Sequence, residues 1–267
     1  MRNFDETADL PYGIQGAINN HEQTPLTSNR YGLISRYVGN KNEGIVIFLD
    51  ALGIKGIWER LSYDDVTKKW DKVTGEFGLM EQSRQHLPLD IRYRALSDTI
   101  IITISSQNNI ALETILNITF NLLLPPFIES IKSRILLRGT VSYGEFYWSE
   151  KLIIGRAVDD AAYYHARIDW IGISICPNIL KKIKINQIDN RYLILYNNIP
   201  YKDRYRKGLV LDWPKYDNGN CLKSLQQEEH EIENSDKDNS TKSQIKQKYN
   251  NTYNFYFYSK KSYQNKQ

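Results

Sequence analysis

The chain has 267 residues, enough for one large domain or two small ones, and a chain of this length buries roughly 70–75% of its unfolded surface. Hydrophobic residues make up 41% and charged residues 25%, a balance that excludes a disordered chain. The formal net charge is +4, from 35 Lys and Arg against 31 Asp and Glu, an excess too small to indicate a nucleic-acid partner.

The first predicted elements are an irregular arm, a buried strand and a helix. Residues 1–43 are polar and turn-rich, which predicts the arm. The segment IVIFLDALGIKG at 45–56 begins as a continuous apolar run, typical of a strand buried on both faces, and this run stops at Asp50. IWERLSYDDVTKKW then predicts a helix, so the order is strand, short glycine turn, helix.

A hairpin and a second series of strands and helices follow. Residues 90–106 carry apolar β-branched residues on both sides of Leu-Ser-Asp, which predicts a tight hairpin. Residues 111–134 have helical spacing, with Pro125 and Pro126 predicting a kink or a break. Strands are predicted at 135–148, 151–155, 170–177 and within 192–213, and a helix at 156–169. This order indicates an α+β sandwich of ferredoxin-like type.

The C-terminal part of the chain differs in composition. From Lys223 to about Asn250, few apolar residues and mixed charge predict a disordered linker. NTYNFYFYSKKSYQ alternates aromatic with polar residues and is compatible with an edge strand. We therefore expect residues 222–267 to be a polar linker and an aromatic tail, whose removal leaves a folded protein.

The cysteine content and the hydropathy of the sequence indicate the cellular compartment of the protein. Cys176 and Cys221 are too few for a disulfide framework or a four-cysteine zinc site. The first ten residues contain acidic side chains and no apolar core, unlike a secretory signal. No apolar run approaches the roughly 20 residues that span a bilayer. The expectation is a soluble cytoplasmic protein with no membrane partner.

Two aspartates occupy unusual positions. Asp50 ends an otherwise apolar strand, and Asp98 lies at the tip of the hairpin. If these strands are neighbours, both carboxylates project from one edge of the sheet, where Mg²⁺ or Mn²⁺ would find the oxygen ligands that it prefers, with the Ala51 carbonyl as a further ligand. The backbone N–H groups of residues 51–54 can hold phosphates. Each aspartate alone is equally a helix cap or turn residue, and spacing leaves both interpretations open.

Four segments, in order, resemble motifs of the class III nucleotide cyclases, the adenylate and guanylate cyclase family. They are FLDALGIK at 48–55, RALSD at 94–98, RGTVSYGE at 138–145 and GRAVDDAAY at 155–163. The resemblance covers about half of the chain. It implies a cyclase catalytic domain over residues 44–221, with an antiparallel sheet and helices on one face, in which Asp50, Ala51 and Asp98 hold two Mn²⁺ or Mg²⁺ ions.

The resemblance also implies a nucleotide site with several departures from the family pattern. The family's ribose-orienting Asn is Asp159, its transition-state Arg is Tyr163, its base-reading Lys is Arg94, and its adenine-reading Asp is Leu152. Plain packing explains Tyr163 and Leu152 as well, and a solvated surface charge explains Lys202, which resembles the triphosphate-binding Lys. Arg138 or Arg156 is left to supply the cation at the α-phosphate. The full set implied to contact substrate is Phe48, Leu49, Leu52, Gly53, Ile54, Arg94, Leu152, Asp159, Tyr163 and Lys202.

Within this superfamily the sequence looks most like the pyrimidine cyclases of the bacterial Pycsar anti-phage system. That resemblance implies a homodimer with sites shared between protomers, a cyclic UMP or cyclic CMP product, and a cyclic-nucleotide-binding effector. The Arg94 guanidinium only donates hydrogen bonds, which suits the carbonyl oxygens of uracil and favours UTP over CTP.

Two other functions stay open. A non-catalytic cyclase-like domain that senses a nucleotide or binds a partner agrees with Asp159 and Tyr163, and disagrees with the two retained aspartates. A nucleotidyltransferase of the GGDEF or polymerase-palm type would carry Gly-Gly-[Asp/Glu]-[Asp/Glu]-Phe at the hairpin, where this chain has Leu-Ser-Asp-Thr-Ile. Turnover of a nucleoside triphosphate would exclude the first, and a linear or dinucleotide product would indicate the second.

Overall fold

A mixed β-sheet organises the part of the chain that the computed structural model describes, which is residues 40–53, 57–106 and 108–264. The arm expected at 1–43 lies outside these residues, except that residues 40–43 begin the first strand. The strands are β1 (Asn40–Leu52), β2 (Asp90–Leu96), β3 (Thr99–Ser105), β4 (Leu136–Trp148), β5 (Ile153–Ile154), β6 (Gly172–Ile175), β7 (Leu193–Pro200) and β8 (Tyr205–Leu211). The helices are α1 (Ile57–Arg60), α2 (Tyr63–Gln82), α3 (Leu112–Lys132), α4 (Arg156–His165), α5 (Pro177–Leu180), α6 (Asn220–Glu233) and α7 (Asn239–Gln264).

The strand order is β2-β3-β1-β4-β6-β8-β7, with β5 paired to β4. The first four strands are antiparallel and, with α2 and α3, form the split βαβ arrangement of a ferredoxin-like fold. The α+β class is therefore confirmed. The sheet is not antiparallel throughout, because β4 and β6 run parallel. The helix α4 between them is the crossover connection that a parallel pair needs.

Helices cover both faces of the sheet, whereas one face was expected. In β1, Ile45 and Leu49 belong to the large core that α2 and α3 complete. Val46 lies on the other face, in a second cluster with Ala157 and Ala161 of α4. Successive side chains of a strand point to opposite faces, so an apolar run such as that of β1 needs a cover on each.

Helix α3 is continuous, although its proline pair predicted a kink or a break. Pro125 and Pro126 lie inside the helix, and ten of its residues are buried, including Phe120 and Phe127. Burial on this scale stabilises the helix against the loss of two backbone donors. Among the described residues, α3 is also the one helix long and apolar enough to cross a membrane, but 56% of that stretch is buried inside the fold, as in a core helix.

The prediction of a disordered linker and an aromatic edge strand within residues 222–267 is wrong. This segment forms most of α6 and all of α7. Their sparse apolar residues recur at helical rather than strand spacing, and Leu225, Ile232 and Phe255 join the large core. Composition suggested disorder because the exposed faces of both helices are strongly polar.

Buried polar contacts complete the docking of the two C-terminal helices. Glu228 of α6 accepts hydrogen bonds from Arg60 at 3.1 Å and from Arg134 at 2.6 Å. In α7, Ser259 donates to Asp212 at 2.5 Å. Burial raises the pKa of Asp212, although the hydroxyl of Ser259 opposes that rise. These contacts join the C-terminal helices to segments far away in the sequence.

Gly139 allows β4 to pack closely against β1 beside Asp50. A Cβ atom at this position would overlap Leu49 Cδ2 and lie 2.6 Å from the Phe48 carbonyl oxygen. We expect Gly139→Ala to lower the free energy of unfolding by about 1–3 kcal/mol, measured by urea denaturation. Gly75→Ala is the matched control, because Gly75 lies in α2 with no atom near the added methyl group, and a gain of about 0.5–1 kcal/mol is expected there. An unchanged midpoint for Gly139→Ala would contradict this account of the close strand contact.

Candidate active site

Asp50 and Asp98 lie side by side at one edge of the sheet. Strands β1 and β3 are neighbours, and Asp50 pairs with Thr99, the residue after Asp98. The Ala51 N–H group donates a hydrogen bond to the Asp98 carbonyl oxygen at 2.8 Å. The sequence left open whether these strands are neighbours, and the structure shows that they are, while the metal-binding role of the two carboxylates stays a prediction.

The hairpin presents the Asp98 carboxylate without engaging it. Its two-residue loop places Ser97 in the left-handed region, with φ of 57°. The Asp98 side chain is half-buried, and it makes no hydrogen bond or ion pair with any residue that the structure describes. A partly desolvated carboxylate with no partner among the described residues is suited to take a cation.

Asp50 contacts Arg138 and His165. The Arg138 guanidinium donates to Oδ2 of Asp50 from Nη2 at 3.0 Å and from Nε at 3.1 Å. Nε2 of His165 lies 3.7 Å from the same oxygen. Burial acts to raise the pKa of Asp50, but His165 and Arg138 outweigh it, so the pKa lies below its usual value. We call Asp50, Arg138 and His165 the Asp50 cluster.

His165 is a site residue that sequence reasoning missed. It is the last residue of α4, and its Nδ1 lies 3.0 Å from the Ala162 carbonyl oxygen, which assigns the Nδ1 proton to that bond and turns Nε2 towards Asp50. The His165 ring packs on Phe48, with 4.6 Å between ring centroids. No spacing in the sequence pointed to this residue, because its partner lies in another element.

The turn after Asp50 is only partly as expected. The side chains of Leu49 and Ala51 are buried in the large core, on the face of β1 opposite to Asp50, so they cannot contact a substrate bound at Asp50. The Ala51 N–H group already bonds to Asp98, so it is not free for a phosphate. Gly53 is exposed at φ of 78°, a conformation that favours glycine. Ile54, also expected to contact substrate, lies outside the described residues.

A second cluster forms around Arg94. Its guanidinium carbon lies 5.4 Å from the centroid of the Trp148 ring, and Nη2 donates to the Ser149 carbonyl oxygen at 3.3 Å. The Ser149 N–H group donates to the Leu152 carbonyl oxygen at 2.9 Å. We call Arg94, Trp148, Ser149 and Leu152 the Arg94 cluster. Arg94 and Leu152, the two residues that the sequence proposed at the base-reading positions, are thus linked through Ser149.

Two other proposed substrate contacts lie on the exposed side of α4. Asp159 and Tyr163 are both exposed and four residues apart, so they share one helix face. The Arg167 guanidinium lies over the Tyr163 ring, 4.0 Å from its centroid. Sequence reasoning missed Arg167, which places a cation where the motif position itself has none.

Lys202 lies near the Asp50 cluster, as its motif position suggested. It occupies the turn between β7 and β8, and its backbone N–H group donates to the Arg167 carbonyl oxygen at 2.8 Å. Together with Leu52 and Arg138 it lines a cavity of about 570 Å³. Arg156 lies elsewhere, on a surface shared with Leu152 and Gly155.

The donor set suits a hard cation that shares its ligands with a substrate. No group of three or more His, Cys, Asp or Glu side chains in the described ranges is arranged to hold a metal ion. Asp50 and Asp98 contribute two carboxylates, and Mg²⁺ sites commonly combine one or two carboxylates with phosphate oxygens and water. The metal-binding role of these two aspartates stays a prediction.

No protein-family profile and no curated protein matches the sequence. Solved structures do match the fold. The catalytic core of a rhodopsin-guanylyl cyclase with converted specificity, in complex with ATPαS, is 14% identical, with a TM-score of 0.46 over 65% of this chain and 97% of that one. The adenylyl cyclase CyaB from P. aeruginosa is 13% identical, with a TM-score of 0.42 over 64% and 93%. The guanylyl cyclase Cya2 is 16% identical, with a TM-score of 0.40 over 65% and 92%. Similarity at this level does not extend to activity.

Proposed function

We propose that this chain is a nucleotide cyclase that converts UTP to 3′,5′-cyclic UMP and pyrophosphate. The observation that carries the proposal is the juxtaposition of Asp50 and Asp98 at one sheet edge, joined through the Ala51 N–H group. A cavity lined by Arg138 and Lys202 adjoins that edge and provides room and positive charge for a triphosphate. The sequence motifs described above place both aspartates in the positions expected of this chemistry.

In the proposed reaction the ribose 3′-oxygen attacks the α-phosphorus, and the bond to the β-phosphate breaks. Two Mn²⁺ or Mg²⁺ ions bound by Asp50, Asp98 and the Ala51 carbonyl would lower the pKa of the 3′-hydroxyl and neutralise charge on the phosphates. Positive charge that faces the α-phosphate stabilises the transition state further.

Arg138 is the better placed of the two arginines that the sequence suggested for this role. It lies against Asp50, whereas Arg156 lies on the surface beside Leu152. The ion pair with Arg138 also keeps Asp50 neutralised until a nucleotide binds. Arg167, stacked on Tyr163, is a second cation on this side of the domain.

The substrate assignment depends on Arg94. Its donors suit the O2 and O4 atoms of uracil, whereas the 4-amino group of cytosine is a donor itself and would be left unpaired at the same place. In the proposed homodimer the Arg94 cluster of one protomer would serve the Asp50 cluster of its partner. In the single chain Leu96 is 78% exposed and Ile154 is 50% exposed, and a partner protomer would cover residues of this kind.

Incubation with each of four labelled nucleoside triphosphates in Mn²⁺, followed by mass analysis, tests the function and its substrate. Cyclic UMP is expected as the main product, and Arg94→Ala is expected to lower the UTP to CTP rate ratio more than it changes the Mn²⁺ requirement. Faster conversion of CTP or GTP would overturn the role of Arg94 and leave a cyclase, in the first case a cytidylate cyclase. No turnover of any triphosphate would favour a nucleotide-sensing domain, an alternative supported by the pairing of Asp50 with Arg138.

The biological role proposed is second-messenger signalling in anti-phage defence, through a cyclic-nucleotide-binding effector. It follows from the motif resemblance and from the proposed product. Cells that carry this chain are expected to accumulate cyclic UMP after infection, measured by mass spectrometry of extracts. Equal amounts in infected cells and in cells with Asp98→Ala would contradict it.

A further inference from the structure

Helix α7 reaches the cavity beside the Asp50 cluster. One wall of this cavity is formed by Leu52, Arg138 and Lys202, which were already placed near Asp50. The facing wall contains Asp169 and the first half of α7, including Gln247 and Lys248. Lys248 also borders Leu52 and Gly53, the first residues of the turn after Asp50. A helix remote in sequence from every motif therefore lines the cavity beside the Asp50 cluster.

The docking of α7 determines where Lys248 points. The Asn251 side-chain amide donates to the Asp169 carbonyl oxygen at 2.8 Å, and the Ile171 N–H group donates to the Thr252 hydroxyl at 2.9 Å. Both Asn251 and Thr252 are buried. Lys248 lies one turn before Thr252, on the same helix face, so these contacts hold it against the segment that leads into β6.

Three cationic side chains and one carboxylate, that of Asp169, line the cavity, and one of the cations, Arg138, is paired with Asp50. Arg138, Lys202 and Lys248 converge on it from three separate elements. Lys248 Nζ lies 3.7 Å from Asp169 Oδ1, close enough for attraction but beyond hydrogen-bonding distance. The ammonium group is therefore oriented by Asp169 and donates no hydrogen bond to any residue that the structure describes, and its side chain is 22% exposed.

We propose that Lys248 is a polyphosphate-binding residue, and that Lys202 and Lys248 hold the β- and γ-phosphates of the substrate and then the pyrophosphate product, beside Arg138 at the α-phosphate. This inference rests on the proposed function and deepens it, since it assigns phosphate recognition to the C-terminal helix as well as to the motif-bearing part of the chain. Lysine ammonium groups are compact charges well suited to phosphate oxygens.

Calorimetric titration of the full-length chain with inorganic tripolyphosphate, with and without excess Mg²⁺, tests the proposal without any need for turnover. Lys248→Met is expected to weaken binding about tenfold, and Lys248→Arg to retain most of it. Asp169→Asn is expected to leave binding unchanged or tighter, because it removes a competing carboxylate. Lys246→Met is the matched control, since Lys246 is exposed on the same helix and pairs with Glu233, and no change is expected.

A purely structural role for Lys248 predicts a different pattern. Lys248→Met and Asp169→Asn would then lower the melting temperature together and leave tripolyphosphate affinity unaltered, and that result would overturn the proposal. Absence of tripolyphosphate binding by the wild type would overturn it as well. Binding that depends on Lys248 in a chain that converts no nucleotide would refute the cyclase and leave the polyphosphate site standing. Conversion of nucleotide with affinity independent of Lys248 would refute the site alone.

Discussion

Asp50→Ala and Asp98→Ala are each expected to lower cyclic nucleotide formation by about a thousandfold or more. Each substitution removes the carboxylate of one of two residues whose backbones adjoin at the sheet edge. No other described side chain of the cluster replaces them, because Arg138 and His165 are cationic or neutral donors. The measurement is the initial rate of product formation at saturating Mn²⁺, with Asp64→Ala, an exposed aspartate of α2, as the matched control.

The two variants are expected to differ in stability although their loss of activity is alike. Asp98 has no partner among the described side chains, so its removal leaves the melting temperature unchanged. Asp50→Ala leaves Arg138, whose side chain is only 14% exposed, without its carboxylate, and should cost about 1–3 kcal/mol. Near-normal turnover by either variant would contradict the two-metal mechanism.

The ion pair of Asp50 also predicts the pH dependence of that difference. The folded-state pKa of Asp50 is lowered, so its contribution to stability is present above the unfolded-state value of about 4 and is lost as the pH falls through the folded-state pKa. The difference in melting temperature between wild type and Asp50→Asn should therefore be largest at neutral pH and should disappear under strongly acidic conditions. A gap that widens as the pH falls would contradict the assigned ion pair.

Removal of α7 is expected to give unfolded or aggregated protein, against the expectation from composition that the tail is dispensable. Phe255 is fully buried and packs against Trp170 and Tyr196, with ring centroids 4.8 Å and 5.1 Å apart. Phe255→Ala alone should lower the free energy of unfolding by about 3–5 kcal/mol, a large share of the stability of a typical domain.

Urea denaturation and gel filtration measure both effects. Phe257→Ala is the matched control, because Phe257 lies on the same helix with 59% of its surface exposed, and a change within about 0.5 kcal/mol is expected. A chain ending before Asn239 that unfolds at the wild-type urea concentration would show that α7 is an appendage. If Phe255→Ala lowers stability and Lys248→Met weakens tripolyphosphate binding, then α7 belongs to both the core and the site.

The sequence by itself determined the elements whose evidence is local. The apolar run of β1 followed by Asp50 and a glycine predicts a buried strand that ends in a turn, and β-branched residues around Ser97 and Asp98 predict the hairpin. Both signals lie within one element or two adjacent ones, so no distant partner is needed to read them. The ferredoxin-like order of β1 to β4 follows from these elements and the helices between them.

Only the tertiary structure decided which side chains meet. Arg138 reaches Asp50 across 88 residues of sequence, and His165 arrives from α4 on the second face of the sheet. The prediction for the C-terminal helices was wrong because a helix with a narrow apolar face has the same composition as a linker. Only the residues that it packs against distinguish the two. The position of Lys248 beside Arg138 and Lys202 also depends on distant contacts. Asn251 and Thr252 hold its helix against a segment some 80 residues earlier in the chain.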